Sequence, residues 1–187
     1  MGIIPKVLVT EDQWIQKGMA QFAQSGVDGL VIEKMSSELG CSKSSFYWYF
    51  KNRNEFIARL VERWTELSTQ QVIRSSSVSE KAEDEIMNLL KQMFSATRRG
   101  DFLFYLRKLC TEYPSFHEML EMIEQTRMRY AQELFRTVGM APEVAELKSH
   151  ILYHYYLGWY ERYKHEQVGD EELKRHIGMI RVQLLGI

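Results

Sequence analysis

Prolines punctuate this chain at only three places in 187 residues, Pro5, Pro114 and Pro142. Proline removes a backbone donor and breaks helix interiors, so a chain that avoids it is free to run as long helices. The intervals are filled with strong helix formers, and their apolar residues recur at steps of three and four. The chain reads as all-α. Thr10 followed by Gln13 forms a capping-box pattern, with Glu11 and Asp12 suited to a first turn. Trp14, Ile15, Met19, Phe22 and Ala23 then mark one helical face, which Gly26 and Gly29 end. Two short helices follow, about 31–39 and 43–50, separated by Gly40-Cys41-Ser42, with Ser42 as N-cap of the second. A long helix starts near Asn54. Beyond it, helical patterns span about 82–94, 102–110, 116–138, 143–165 and 170–185.

Ser75-Ser76-Ser77-Val78-Ser79 is the clearest linker. It suggests a helical N-terminal domain over 1–53, a connecting helix and linker over 54–79, and a second helical domain over 80–187. Charge narrows the functional classes. The 24 Lys and Arg residues against 25 Asp and Glu give a net charge of −1, which excludes a polycation that holds nucleic acid by bulk charge. The longest stretch without a charge, Ser149 to Tyr160, is too short to span a membrane. Cys41 and Cys110 lack CxxC spacing, and the N-terminus is a poor signal peptide, so a reducing, cytoplasmic location is expected. No G-x-S-x-G, HExxH or Walker pattern is present, so an enzyme is not expected, nor is a cofactor.

The pair of short helices carries the functional signal. Gly40 sits where a tight turn calls for positive φ. Met35, Leu39, Cys41, Phe46 and Tyr49 fall where two helices would bury them, and Ser36 is small enough for close approach. Lys43, Ser44, Ser45, Tyr47, Trp48 and Lys51 lie at or beside the outer face. Between Lys34 and Arg53 the local charge is +3, from Lys34, Lys43, Lys51 and Arg53 against Glu38. Such a face suits DNA, whose phosphates take Lys, Ser and Tyr, and whose groove edges take Lys, Ser and Trp. A generic helix pair with Tyr47-Trp48-Tyr49-Phe50 as plain core is the competing reading.

The segment from Phe22 to Phe56 resembles the DNA-binding domain of the tetracycline-repressor (TetR) family. The resemblance rests on Phe22 with Gly26, on Leu39-Gly40-Cys41-Ser42, and on Ser45-Phe46-Tyr47-Trp48-Tyr49-Phe50-Lys51 followed by Asn52-Arg53. It implies a three-helix helix-turn-helix domain followed by a helical ligand-binding and dimerisation domain. It also implies a homodimeric regulator, most often a repressor, released from a palindromic double-stranded DNA operator by a small-molecule effector. An activator or effector-independent regulator is the alternative, with a helical protein–protein adaptor behind it. Lys43, Ser44 and Trp48 match base-contacting positions, and Ser42, Ser45, Tyr47 and Lys51 match phosphate-contacting ones. Two departures stand out. Val31 replaces a Thr or Ser that would cap the first short helix, and Met35-Ser36 replaces an Ile-Ala pair.

In the C-terminal half, Phe116, Leu120, Ile123, Tyr130, Ala131, Leu134 and Val138 share one helical arc, with Arg127 its only charged member. Arg127 reads either as an anchor for an anionic effector or as a residue paired to an internal acid such as Glu112. Trp64, Phe94, Phe102, Tyr105, Tyr113, Tyr153, Tyr156 and Trp159 supply the bulk for an effector cavity, which the resemblance implies; a hydrophobic ligand would suit them. Glu146, His150, His154, Glu161 and His165 form a polar stripe, read as a solvated face rather than a metal site. Leu173, Ile177, Ile180 and Leu184 step by four, three and four, a seam read as the dimer interface.

Overall fold

The computed structural model describes residues 9–79, 81–95, 100–164 and 166–186, and the side chain of Leu184 lies outside the description. Among the described residues the regular structure is entirely helical. In chain order the elements are α1 (Glu11–Ser25), α2 (Ile32–Glu38), α3 (Lys43–Tyr49), α4 (Arg53–Thr65), α5 (Gln71–Ser76), α6 (Ala82–Ser95), α7 (Phe102–Glu112), α8 (Ser115–Thr137), α9 (Pro142–Tyr163) and α10 (Asp170–Met179). A π-helical segment, Glu66–Gln70, joins α4 to α5, and a second, Ile180–Leu185, extends α10. No helix is long and apolar enough to cross a membrane among the described residues.

The chain divides into two compact units. The first comprises residues 1–65 and 100–120, and the second residues 66–99 and 121–187. This division differs from the linear one expected from the sequence. Phe102, well past the linker, lies against Phe22 of α1 with ring centroids 4.6 Å apart, so α7 belongs with the N-terminal helices.

In the first unit, the capping box forms as expected: Thr10 accepts from the Gln13 backbone while the Gln13 side chain accepts from the Thr10 N–H. α1 buries Trp14, Ile15, Gly18 and Phe22. Gly18 is the contact point with α4. A Cβ there would stand 2.4 Å from Phe56 and 2.8 Å from Leu60, so glycine is what lets the two helices approach. Phe46, Phe50 and Phe56 form a buried aromatic triangle with centroids 4.7–5.1 Å apart, and Trp14 meets Phe46 edge-on at 5.3 Å.

In the second unit, Ile86, Leu89, Leu90 and Phe94 of α6 pack with Ala131, Leu134 and Phe135 of α8, Leu152 and Trp159 of α9, and Ile177 and Ile180 at the C-terminus. Of the arc predicted for α8, Ile123, Ala131 and Leu134 are buried here and Phe116 and Leu120 in the first unit, while Tyr130 and Val138 are half-buried.

Candidate nucleic-acid interface

The two short helices are held by their turn. α2 ends at Leu39, Gly40 takes φ +69°, and the Cys41 N–H donates to the Ser36 carbonyl at 2.9 Å. No atom lies within 4 Å of where a Gly40 Cβ would stand, so the requirement is conformational and not one of space. Met35 and Ser36 are buried as the sequence anticipated, with the Ser36 hydroxyl donating to the Glu33 carbonyl. Val31 stands at the N-cap of α2 without a side-chain cap bond, so the departure noted in the sequence does leave that helix uncapped.

α3 is anchored by Phe46 and by Phe50 just after it, both fully buried. Its opposite side is open. Tyr47 is 59% exposed and Trp48 83% exposed, and Ser42, Lys43, Ser44 and Lys51 are exposed around them. The four aromatics therefore separate: Phe46 and Phe50 are core, Tyr47 and Trp48 are surface, and Tyr49 is half-buried with its hydroxyl donating to the Val9 carbonyl at 3.1 Å.

Individual roles within the set differ. Ser42 occupies the N-cap position, but its hydroxyl is engaged with that of Ser44 at 2.6 Å and does not cap α3. Ser45 is half-buried, and its hydroxyl accepts from Trp14 Nε1 at 3.3 Å, so it ties α3 to α1 while sitting at the edge of the face. The Arg53 guanidinium donates to the Val27 carbonyl. Lys43 Nζ is paired with Glu33 Oε1 at 2.5 Å. The hydrogen bond from Lys43 holds the Glu33 carboxyl below its usual range. Glu33 was not singled out in the sequence, since its pairing across ten residues exists only once α2 and α3 pack.

Residues 15–60, which contain this whole arrangement, match the family described as bacterial regulatory proteins, tetR family. The N-terminal region is thus similar to a TetR-family DNA-binding domain. The TetR fold extends over the rest of the chain. A transcriptional regulator from Rhodococcus sp. Rha1 superposes with a TM-score of 0.75 at 15% identity, covering 92% of this chain and 96% of that one. The fatty acid degradation regulator FadR from Bacillus halodurans gives 0.68 at 14% identity, over 100% and 97%. AibR, solved with isovaleryl coenzyme A and operator DNA, gives 0.69 at 12% identity, over 90% and 96%. At such identities the likeness is one of fold. No curated protein matches the chain in sequence. The TetR family consists of DNA-binding regulators and not enzymes.

The residues expected to enclose an effector fall into both units of this TetR fold. Trp64, Phe102, Tyr105 and Tyr113 belong to the first. Trp64 stacks on Phe102 at 4.8 Å and 10°, and the Tyr105 hydroxyl donates to the Gln24 carbonyl at 3.0 Å. Tyr105 also lies where a Gly26 Cβ would be, and Tyr113 is exposed. Within the first unit Phe102 is buried, while Trp64 and Tyr105 are half-buried.

Phe94, Arg127, Tyr153, Tyr156 and Trp159 belong to the second unit. Phe94 meets Trp159 edge-on at 5.7 Å and Tyr156 at 6.1 Å. The sequence missed the residue at the centre of this group. His176 of α10 stacks on Trp159 at 3.6 Å and on Tyr155 at 5.4 Å, and Phe94 meets it edge-on at 5.0 Å. His176 Nε2 and Trp159 Nε1 are buried without hydrogen-bond partners among the described residues. Burial pushes the His176 pKa down.

Arg127 donates from Nε to the Thr69 hydroxyl at 3.0 Å and from its guanidinium to Ser68 at 3.1 Å, both in the first π-helical segment. A groove of about 470 Å³ beside that segment is lined by Leu67, Gln71, Val72, Arg74, Ser75 and Gln92, none of them anticipated. His150 and His154 are exposed, with ring centroids 6.4 Å apart, and His165 lies outside the described residues. Among the described residues no group of three metal-ligating side chains converges.

The seam expected at a dimer interface lies in part within the chain's own core. Ile177 and Ile180 are buried at 4% and 2% exposure in the chain's own core, and Leu173 packs against the same core. The side chain of Leu184 lies outside the description. The seam is real, but α6 and α9 of the same chain occupy it. Exposed apolar residues of this unit include Val144, Leu147, Ile151 and Tyr155 of α9, at steps of three and four, with Met179 and Val182 further along.

Proposed function

We propose that the protein is a dimeric repressor that reads a palindromic operator through α3 and leaves it when an effector binds the C-terminal unit. The observation that carries the reading is the 83% exposure of Trp48 beside Tyr47 on a helix pinned from behind by Phe46. A large aromatic held open to water among hydroxyls and lysines is costly unless a partner covers it, and DNA offers both groove edge and phosphate. In this reading Lys43, Ser44 and Trp48 contact bases, while Ser42, Ser45, Tyr47 and Lys51 contact phosphates. DNA reading lies within residues 1–53, and residues 54–79 relay the effector signal.

Dimerisation uses the Val144–Leu147–Ile151 face, which is where an isologous contact would bury exposed aliphatic surface. Two copies of α3 would then reach successive major grooves about 34 Å apart. The effector is an amphipathic anion, with Phe94, Tyr153, Tyr156 and Trp159 on its apolar part and Arg127 toward its charge. Isovaleryl coenzyme A, the compound bound by AibR, is of this chemistry and supports the choice.

The test is binding to a duplex selected from a random pool by the wild-type protein. Lys43→Ala and Tyr47→Ala should each weaken binding at least about tenfold, the scale of a lost base or phosphate contact. Unchanged affinity in both variants would remove the site assignment. Release of that duplex by isovaleryl coenzyme A, and its loss in Arg127→Met, would test the effector half.

A further inference from the structure

Glu33 stands where a DNA-reading surface would be expected to carry no acid. It is exposed on α2, next to the basic stretch that begins at Lys34, and its carboxylate holds the ammonium of Lys43, the first residue of α3. Both side chains remain more than half exposed. An exposed pair of this kind is weak in water and exchanges readily. Close to DNA it is not neutral in effect, because a carboxylate beside phosphates is repelled unless it is paired or accepts a hydrogen bond from a base.

Two arrangements are then open to the protein on DNA. If Lys43 leaves for a phosphate, Glu33 is left bare in the field of the backbone. If Lys43 stays, it keeps one N–H on Glu33 and offers its other two to a base edge, the guanine O6 and N7 pair being the suitable acceptors. The first gains one phosphate contact and one repulsion. The second gains a contact that depends on sequence.

Resting on the reading of α3 as the DNA-contacting helix, we infer that Glu33 is a specificity residue: it withholds Lys43 from phosphates and orients it toward a base edge. Glu33 is thus a positioning residue, acting through Lys43. The same basic region contains a built-in contrast. Glu38, also on α2, is paired with Lys17 of α1, away from α3. Removing its charge alters the local total equally without freeing a recognition-helix lysine.

The experiment measures binding of the full-length protein, by fluorescence anisotropy across a salt series, to the selected duplex and to a duplex of scrambled sequence. Glu33→Gln should tighten binding to the scrambled duplex several-fold and narrow the ratio between the two duplexes. Its log–log salt dependence on scrambled DNA should steepen by about 0.9 per subunit, the increment for one added phosphate contact. Glu38→Gln should leave the ratio unchanged. In a Lys43→Met background, Glu33→Gln should lose most of its effect. An unchanged ratio and slope in Glu33→Gln would overturn the inference while leaving the DNA-binding reading intact. An equal effect with and without Lys43 would overturn it too, since Glu33 would then act only as a charge. Failure of the wild type to bind either duplex would overturn both.

Discussion

The outer faces of α3 and α9 both leave large apolar side chains in water, yet they are built differently. On α3 the exposed residues are aromatic, Tyr47 and Trp48, set among Ser42, Lys43, Ser44 and Lys51. On α9 they are mainly aliphatic, Val144, Leu147 and Ile151, with Tyr155 at the next step of four, and Lys148 is turned to the Leu185 carbonyl at 2.8 Å. Hydroxyls and cations between aromatic rings suit a polyanion with flat bases. A mainly aliphatic stripe without an exposed lysine suits another protein surface of the same kind. In the reading proposed above the two faces take different partners, and that reading can be broken at either end.

The largest effect is expected at α9. Replacing Leu147 and Ile151 together by Glu places two charges per chain in the proposed interface. If each acts as a hot spot, the loss is about 4 kcal/mol or more, at least roughly a thousandfold in dimer affinity. Sedimentation velocity should show monomers at micromolar concentration with helix content kept. A variant that stays dimeric would mean the aliphatic stripe is not the interface, and the contrast with α3 would lose half its content. Operator binding should fall with dimerisation although no residue of α3 is touched, because two linked half-site contacts become one.

The next effect lies under α3. Gly18→Ala puts a methyl group against Phe56 and Leu60. Phe56 cannot easily yield, being fully buried between Phe46 and Phe50. Overpacking of this kind costs about 1–3 kcal/mol, against which the helix-propensity gain from replacing glycine is about 1 kcal/mol. Chemical denaturation should show a net loss, together with weaker operator binding and an unchanged dimer. If dimerisation fell as much as DNA binding, the two faces would not be independently supported.

These two faces also differ in how readily the sequence disclosed them. Much of the DNA-binding unit's local structure is set within a few residues: the Thr10–Gln13 box of α1, the positive φ of Gly40 before α3, and the absent cap at Val31 of α2. These local patterns carry over into the structure, whereas the expected Ser42 cap of α3 does not form. Ser45 was less legible, because its bond to Trp14 spans 31 residues, and Glu33 was missed because Lys43 meets it only after packing. The aliphatic face was harder still. α9 buries Ala145, Leu152, Tyr153 and Trp159 on one side while exposing Val144, Leu147 and Ile151 on another. A helix apolar on two sides has no single stripe to read. The seam of Leu173, Ile177 and Ile180 was visible, but its spacing is the same whether the facing helix belongs to the same chain or to a second copy. The effector residues suffered from the same ambiguity. An aromatic reads alike in a core and in a cavity, and the candidates divide between the two units, Trp64, Phe102, Tyr105 and Tyr113 in the first and the others in the second.

The smallest effect sharpens the comparison from inside the C-terminal unit. His176 sits in DEELKRHIGM, a segment that reads as a charged surface helix, yet its ring is stacked between Trp159 and Tyr155. Burial disfavours the imidazolium there, with Glu172 opposing that effect only in part. A histidine whose pKa is lowered in the folded state takes up its proton more readily when unfolded. Its contribution is therefore complete above the unfolded value of about 6.5 and is lost as pH falls toward the lower folded value. Thermal melts from pH 7.5 to pH 5 should show a decline in midpoint that His176→Phe makes shallower, since a phenyl ring keeps the stacking and cannot charge. Trp14, buried against Phe46 in the first unit, has no histidine ring against it among the described residues. The decline should therefore appear in dimer stability before it appears in the near-ultraviolet signal of the first unit. A decline of equal slope in wild type and His176→Phe would place the acid sensitivity elsewhere and leave the His176 stack with a packing role alone.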